Sequence, residues 1–582
     1  MVHYTRGEIY LRRMRNKLHS SRVAVMFAML VVAAAPHAAA QTAANPMSCE
    51  RATAWSACDI SFDLAAQENT AQATLRAEFR SPHYKTILIN AFRTGSKFVL
   101  RVAPTEAGAW TYRITSSISR LDGQTGQFGA SASNSPGYVL TANIHHFQTG
   151  NFQTADIHSE ERKPHLWMGA AVPHFTTMPR ADFDRVLEQR AKDRFTHLQV
   201  TLDGESDLGE AAERIRAINA KGMVADLAFA SLPADAAAMQ LHVADIVARF
   251  GAFNITWAGL AAFENTPHAR AILKDAGMLI QKLDPYAHPR MTLATSTSGA
   301  VASDGWANVL SYGTANPEIG GVEHQFYALP AVNAGIQSRA DLWNATMNGQ
   351  YPESGDGTYM KPWFDFLSSS RYWELEPYFD VEGGRAMALE GVEYLVYVEK
   401  PGMVTLNVES HNYDVAWMNP ATGEIVKEKK EHKGEHFMGA PPDASHDWVL
   451  RVSREGHKEG MLKSYRFESS AVVMQEVEIA PAKIPFEIAA PQGEELAMSK
   501  TAQFALKVKR DTKANRTPLV EWTLEQPGGT EGYRVVGTGR EGTFTFPASI
   551  LDKLTGVVSL RANIVNGLGK AYTLDKVYRL VP

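Results

Sequence analysis

The stretch ITWAGLAAFEN, residues 255–265, runs from an apolar, β-prone segment straight into Glu264 and Asn265. It reads either as a strand presenting a carboxylate at the rim of a parallel sheet, or as a strand giving way to a helix through a polar residue. Its neighbours decide the fold. From about residue 160 onward, apolar runs (HLWMGAAV, FTHLQVTL, GMVADLAFA, NITWAGLAAF, RMTLATS, NVLSYGT, VEHQFYALPAVN) alternate with segments whose apolar residues recur every three or four positions. Those segments are RADFDRVLEQRAKDR, DLGEAAERIRAINAKG, ADAAAMQLHVADIVARFG and PHARAILKDAGMLIQKLDP. This alternation predicts strands of a parallel sheet covered by helices. Seven strands, with an eighth around ATMNGQY, predict a (β/α)₈ barrel over 148–380. Gly222 and Gly251 are placed to end two of the helices. No G-x-G-x-x-G follows a strand, which removes a dinucleotide-binding reading.

The flanks are patterned differently. Between 58 and 145 short β-like runs such as TLRAEFRS, KTILINAFRTG and GAWTYRITSS are broken by turn residues, predicting a β-sandwich over 41–147. β-patterning returns at 381–456, with the charged stretch KEKKEHKGEH read as a solvated hairpin. A linker over 457–485 runs into the Pro-rich APAKIPFEIAAPQG (480–493), which marks the boundary with an immunoglobulin-like β-sandwich over 486–582. The expected class is multidomain α/β plus all-β, with a central TIM barrel between β-sandwiches.

Arg12, Arg13, Arg15, Lys17 and Arg22 precede the 13-residue apolar run VAVMFAMLVVAAA, and Ala38 and Ala40 follow it. That is the pattern of an export signal over 1–40, and the run is short of the roughly 20 residues a membrane span needs. A secreted or periplasmic protein with no span after signal removal is expected. Cys49 and Cys58, the only cysteines, are expected to form one small disulfide loop. The chain is 45% apolar with a net charge of −5, which argues against a nucleic-acid partner.

In a parallel barrel the chemistry sits just past the carboxyl ends of the strands. That rule collects His174, Asp203 with Glu205, Asp226, Glu264, Thr295 with Ser296, Glu318, and Glu323 with His324, Gln325 and Tyr327. Aromatic residues accompany them: Trp167, Phe175, Trp257, Phe326, Trp343 and Trp363. Carboxylates beside flat rings that stack on sugars are what glycosidic bond cleavage requires. The bland readings are helix N-capping for Asp203 and Glu205, a buried structural charge for Asp226, and core for Trp257. No H-E-x-x-H or other compact metal cluster, G-x-S-x-G elbow or nucleophilic cysteine setting is present, so neither a metal nor a cofactor is expected.

FRTGSKFVLRVAPTEAGAWTYRITSS, KPHLWMGAA, KLDPYAHPRMTLATS, RYWELEPYFDVEGGRAMALEGVEYLVYVEKPG and YDVAWMNPATGE occur here in one order. That series resembles the apiosidase-like group of candidate secreted bacterial glycoside hydrolases, whose C-terminal module is named for collagen binding. The resemblance covers most of 60–455. It implies an acid/base carboxylate after the fourth barrel strand, where Glu264 stands, and a glutamate nucleophile after the seventh. There the chain departs, reading LPAVNAGIQSR with Gly335 in the nucleophile's place. Glu323 is then the expected partner, with Glu318 or Glu353 as other sources. Trp167, His174, Asp203, His324, Gln325, Phe326, Tyr327 and Trp343 are the expected sugar contacts. The expected function is hydrolysis of a polysaccharide or complex glycan by two carboxylates. The rival is a degenerate barrel serving carbohydrate binding or cell-surface adhesion.

Overall fold

A computed structural model describes residues 47–454 and 483–582, apart from 71, 155–160, 205–206, 262, 266–268, 315, 354–356, 499, 526–533, 539–542 and 547–555. The leader read as an export signal, Glu205 and most of the linker lie outside the described residues. No helix among the described residues is long and apolar enough to cross a membrane.

The alternating region folds into a mixed α/β body. Strands β1 (Gly169–Ala171), β2 (His197–Leu202), β3 (Val224–Phe229) and β4 (Ile255–Leu260) form one parallel sheet. Strands β5 (Leu310–Tyr312), β6 (Ala331–Asn333) and β7 (Gln350–Pro352) form a second. Every residue of β3 and β4 is buried, as continuous apolar runs covered on both faces must be. Helices α1 (Arg180–Lys192), α2 (Leu208–Ala220), α3 (Ala236–Phe250) and α4 (Ala269–Leu283) separate the first strands, and α5 (Pro317–Glu323), α6 (Arg339–Thr346) and α7 (Met360–Leu367) the later ones. Asp207 caps α2 by accepting from the N–H of Gly209 and Glu210, and Asp235 caps α3 by accepting from Ala238. Gly222 follows α2 in the left-handed region at φ 78°. Gly251 is right-handed instead; a Cβ there would come within 2.7 Å of the Val247 carbonyl, so it serves space rather than φ.

Residues 290–294 run alongside both sheets. The Met291 N–H donates to Trp257 O (2.8 Å), and the Ser311 hydroxyl donates to Thr292 O (2.5 Å). At the other edge Glu353, just past β7, makes a parallel bridge to Gly169 at the start of β1.

VEHQFYALPAVN, expected as one strand, divides in two: its first residues end α5 and only Ala331–Asn333 is extended. The cause lies just upstream. Asn316 caps α5 by accepting from the Glu318 N–H, and Pro317 occupies the first turn, where its missing N–H costs nothing.

A three-stranded antiparallel sheet (Tyr138–Asn143, His146–Gly150, Lys163–His165) covers the amino-terminal ends of the parallel strands. Its Tyr138 hydroxyl donates to Ala252 O (2.6 Å) and its Val139 N–H to the Asn254 side chain (3.1 Å), both just ahead of β4. Before it, five- and three-stranded sheets enclose Phe79, Leu100, Val102 and Trp110, and Cys49 and Cys58 are joined by a disulfide. After α7 comes an eight-stranded sheet built around Tyr394, Val415, Trp417 and Leu450. The charged stretch runs from the end of the short strand Ile425–Lys427 into His432–Gly439, both of which pair antiparallel with Val404–Met418. The final residues make three- and five-stranded sheets around Phe504 and Trp522.

Candidate functional site

The carboxyl ends of the parallel strands form a rim of short polar segments. His174 follows β1, exposed and in the left-handed region at φ 55°, a conformation that costs a non-glycine residue energy. Asp203 follows β2, exposed, and accepts from the Thr176 hydroxyl (2.9 Å). Glu264 follows β4 in the single 3₁₀ turn Phe263–Asn265 and is half-buried. Its carboxylate accepts from the Thr295 N–H (2.9 and 3.1 Å) and the Ser296 N–H (3.3 Å), just beyond residues 290–294. Two backbone donors therefore fix the rim carboxylate.

A buried polar group lies among the same strands. Asp226, in β3, meets Nδ1 of His197 in β2 (2.9 Å), and Nε2 of His197 meets Nε2 of His165 (2.8 Å). Burial pushes Asp226 well above the usual carboxylate range and both histidines well below the usual imidazole range. An uncharged chain satisfies each bond: Asp226 donates to His197, and His197 donates to His165. Trp167 stacks on His197 with ring centroids 3.4 Å apart. Glu353 completes the group. It is 4% exposed, and neither of its oxygens has a hydrogen-bond partner among the described residues. Burial, then the nearby Asp226, raises its pKa well above the ordinary carboxylate range. Both flanking groups need Gly169 between them: a Cβ there would sit 2.9 Å from Glu353 Cγ and 3.1 Å from Trp167 Nε1.

Several expected site residues fall elsewhere. Glu323 does not lie at a strand end but closes α5, fully buried. Its carboxyl accepts from the hydroxyls of Thr297 (2.7 and 2.9 Å) and Tyr312 (2.7 Å) and faces Glu521 of the final β-sheets. Burial raises both carboxyls, and the two side chains hydrogen-bond to one another. Trp167 and Trp343 are 0% exposed, so neither offers a face to a sugar; Trp343 packs between Phe366 and Tyr397 as core. His324, Gln325, Phe326 and Tyr327 lie in the turn that leads back to the start of β6, on the amino-terminal side of the sheet from Glu264. Phe326 packs on Leu519 and Val565, and Tyr327 on a small cluster with Leu310 and Tyr312. Gly335 leaves no room for the missing nucleophile, since a Cβ there would lie 2.4 Å from Thr314 N. Of the expected contacts, His174 and Asp203 share the rim with Glu264. Asp226 and Glu353, weighed in the sequence as a buried charge and a loop acid, make the adjoining buried group.

The fold is that of a glycoside hydrolase neighbour. The structure aligns with a candidate glycoside hydrolase from Bacteroides vulgatus at a TM-score of 0.60 and 15% identity, over 69% of this chain and 99% of that one. More distant matches are an endo-1,4-β-mannanase from Rhizomucor miehei (TM-score 0.30, 9% identity, 37% of this chain and 89% of that one) and a β-porphyranase from Bacteroides plebeius (TM-score 0.22, 10% identity, 66% and 84%). Only the first bears on the fold. No family profile matches the chain, and no curated protein matches it in sequence.

Proposed function

We propose that the chain is an exported glycoside hydrolase acting on a polysaccharide or complex glycan at the rim of a (β/α)₈ barrel. Counting residues 290–294 as the fifth strand gives eight, and the Gly169 to Glu353 bridge supports closure of the ring. In that count Glu264 follows the fourth strand and Glu353 the eighth.

One observation carries the reading: two carboxyls, at the ends of the fourth and the eighth strand, sit in opposite environments. Glu264 is half-exposed and held by backbone donors, whereas Glu353 is buried, which favours its protonated form. Such a pair divides the work of glycosidic cleavage. The protonated carboxyl supplies the proton taken by the leaving oxygen as its C–O bond breaks, and the carboxylate serves the anomeric centre or the water attacking it. Glu353 replaces Glu323 as the partner because its carboxyl oxygens have no hydrogen-bond partner among the described residues, whereas those of Glu323 are held by Thr297 and Tyr312; opening of the cover over Glu353 is part of the reading.

The packing at Gly335 favours a second reading, glycan binding without hydrolysis, because it excludes the nucleophile that the apiosidase-like resemblance implies. A panel of pectic, hemicellulosic and bacterial glycans separates the two. Hydrolysis predicts sugar release by the wild type that falls at least about 100-fold in Glu264→Gln and in Glu353→Gln. Binding by all three proteins with no release establishes the second reading instead.

A further inference from the structure

Away from the rim, three histidines converge on one glutamate from three distant stretches of chain. His145 and His146 come from the sheet that covers the amino-terminal strand ends, His324 from the turn after α5, and Glu376 from the first strand of the eight-stranded sheet. His145 Nδ1 lies 3.0 Å and His324 Nε2 2.8 Å from Glu376 Oε2, while His146 Nε2 lies 3.5 Å from Glu376 Oε1. The rings of His145 and His324 lie 3.7 Å apart. The three histidine side chains are 10%, 5% and 6% exposed, and that of Glu376 is 45% exposed, so the group is walled by protein yet reachable from solvent.

The hydrogen bonding does not close without a further positive charge. His145 Nε2 meets the Tyr327 carbonyl at 3.0 Å, and a carbonyl can only accept, so Nε2 carries the ring proton. In the neutral ring that leaves the Nδ1 lone pair pointing at a carboxylate oxygen. His146 has no such conflict: the Tyr351 hydroxyl can donate to its Nδ1 (2.7 Å), which leaves Nε2–H facing Glu376 Oε1. Around a zinc ion with bonds of about 2.0–2.1 Å, tetrahedral ligands stand roughly 3.3 Å from one another. The observed separations of 2.8 and 3.0 Å about Glu376 Oε2 lie just inside that spacing. The outer contacts are those metal-bound imidazoles use: Tyr327 O behind His145 and the Gln325 amide beside Nδ1 of His324 at 3.4 Å. Gly349, at φ 77°, gives His324 its place, since a Cβ there would lie 2.4 Å from the ring.

We infer that His145, His324 and Glu376 form a binding site for one divalent transition-metal ion of the zinc class, with His146 beside it. Three protein ligands leave a fourth position for water. The ion ties the covering sheet, the α5 turn and the eight-stranded sheet together at the end of the molecule opposite Glu264. The inference is independent of the hydrolase reading.

The test uses untagged full-length protein stripped with a chelator. Titration with zinc chloride, followed calorimetrically and by elemental analysis after dialysis, is expected to show one ion per chain. Cobalt(II) in its place is expected to give the intense visible absorption of a tetrahedral site. Glu376→Gln, which keeps the side chain's shape, and His324→Ala are each expected to weaken binding at least about 100-fold. Wild type and His411→Ala, which changes a histidine outside the cluster, should gain melting temperature on adding zinc, and Glu376→Gln and His324→Ala should not. No saturable binding at micromolar zinc overturns the site, as does equal binding by Glu376→Gln and His324→Ala. If a variant does not fold, the stoichiometry and cobalt spectrum of the wild type decide.

Discussion

The rim around Glu264 and the contact around Glu323 hold the same functional group in opposite settings. Glu264 meets solvent and is held by two main-chain N–H groups that need no side chain to be present. Glu323 is sealed, held by Thr297 and Tyr312, and pressed against a second acid from another sheet. Position along the chain does not separate them, because each lies near a strand of the same α/β body. Their surroundings do: a carboxyl can act on a substrate only where the substrate can reach it, and a buried one is first a matter of protons and stability.

The largest expected effect tests that contrast directly. Glu264→Gln should lower glycan hydrolysis by about 10²- to 10⁴-fold, the range for loss of one acid/base group, while Glu323→Gln should leave the rate per folded molecule within about threefold. Initial-rate measurements on the best substrate of the panel decide it. Equal losses in the two variants would erase the distinction.

Trp343→Ala should come next. Emptying a fully buried indole site costs about 3–5 kcal/mol in denaturant unfolding. Glycan affinity of the folded fraction should not move, since the ring packs on Phe366 and Tyr397. A selective loss of binding at unchanged stability would return Trp343 to the list of sugar contacts. At the vacant nucleophile position, Gly335→Ala should cost about 1–3 kcal/mol because its new methyl meets the Thr314 backbone. Gly335→Glu should be at least as unstable and no faster; a gain in hydrolysis would show that the barrel still accepts a carboxylate there.

The chain announced the α/β body because strand and helix differ in period, and because runs such as VADLAF and ITWAGL are apolar on both faces. Helix α5 was missed although Asn316 and Pro317 form a start signal, since the apolar residues after it mimic a strand. Burial was harder to read. Nothing local distinguishes Trp343 in a core from a tryptophan on a rim, and enclosure of Glu323 depends on Glu521, nearly two hundred positions away. The histidine cluster was invisible for the same reason: His145, His324 and Glu376 share no spacing, only a place in space.

The smallest expected effect concerns the sealed pair itself. Burial raises both Glu323 and Glu521 above their unfolded values, so the folded chain binds more protons than the unfolded one once pH exceeds about 4.5. Stability contributed by this pair is then greatest below that pH and declines as pH rises toward the folded values. In Glu521→Gln the amide has no proton to lose, and its N–H can donate to Glu323. Asn563, which now donates to Glu521 (3.3 Å), can still reach the amide oxygen. Near pH 4 the variant and wild type should unfold at about the same denaturant concentration. At pH 7 the variant should be more stable by about 1 kcal/mol, the net worth of one hydrogen bond no longer opposed by a shared buried charge. A constant difference across that range would mean that the two acids do not share protons, and the contrast with Glu264 would then rest on exposure alone.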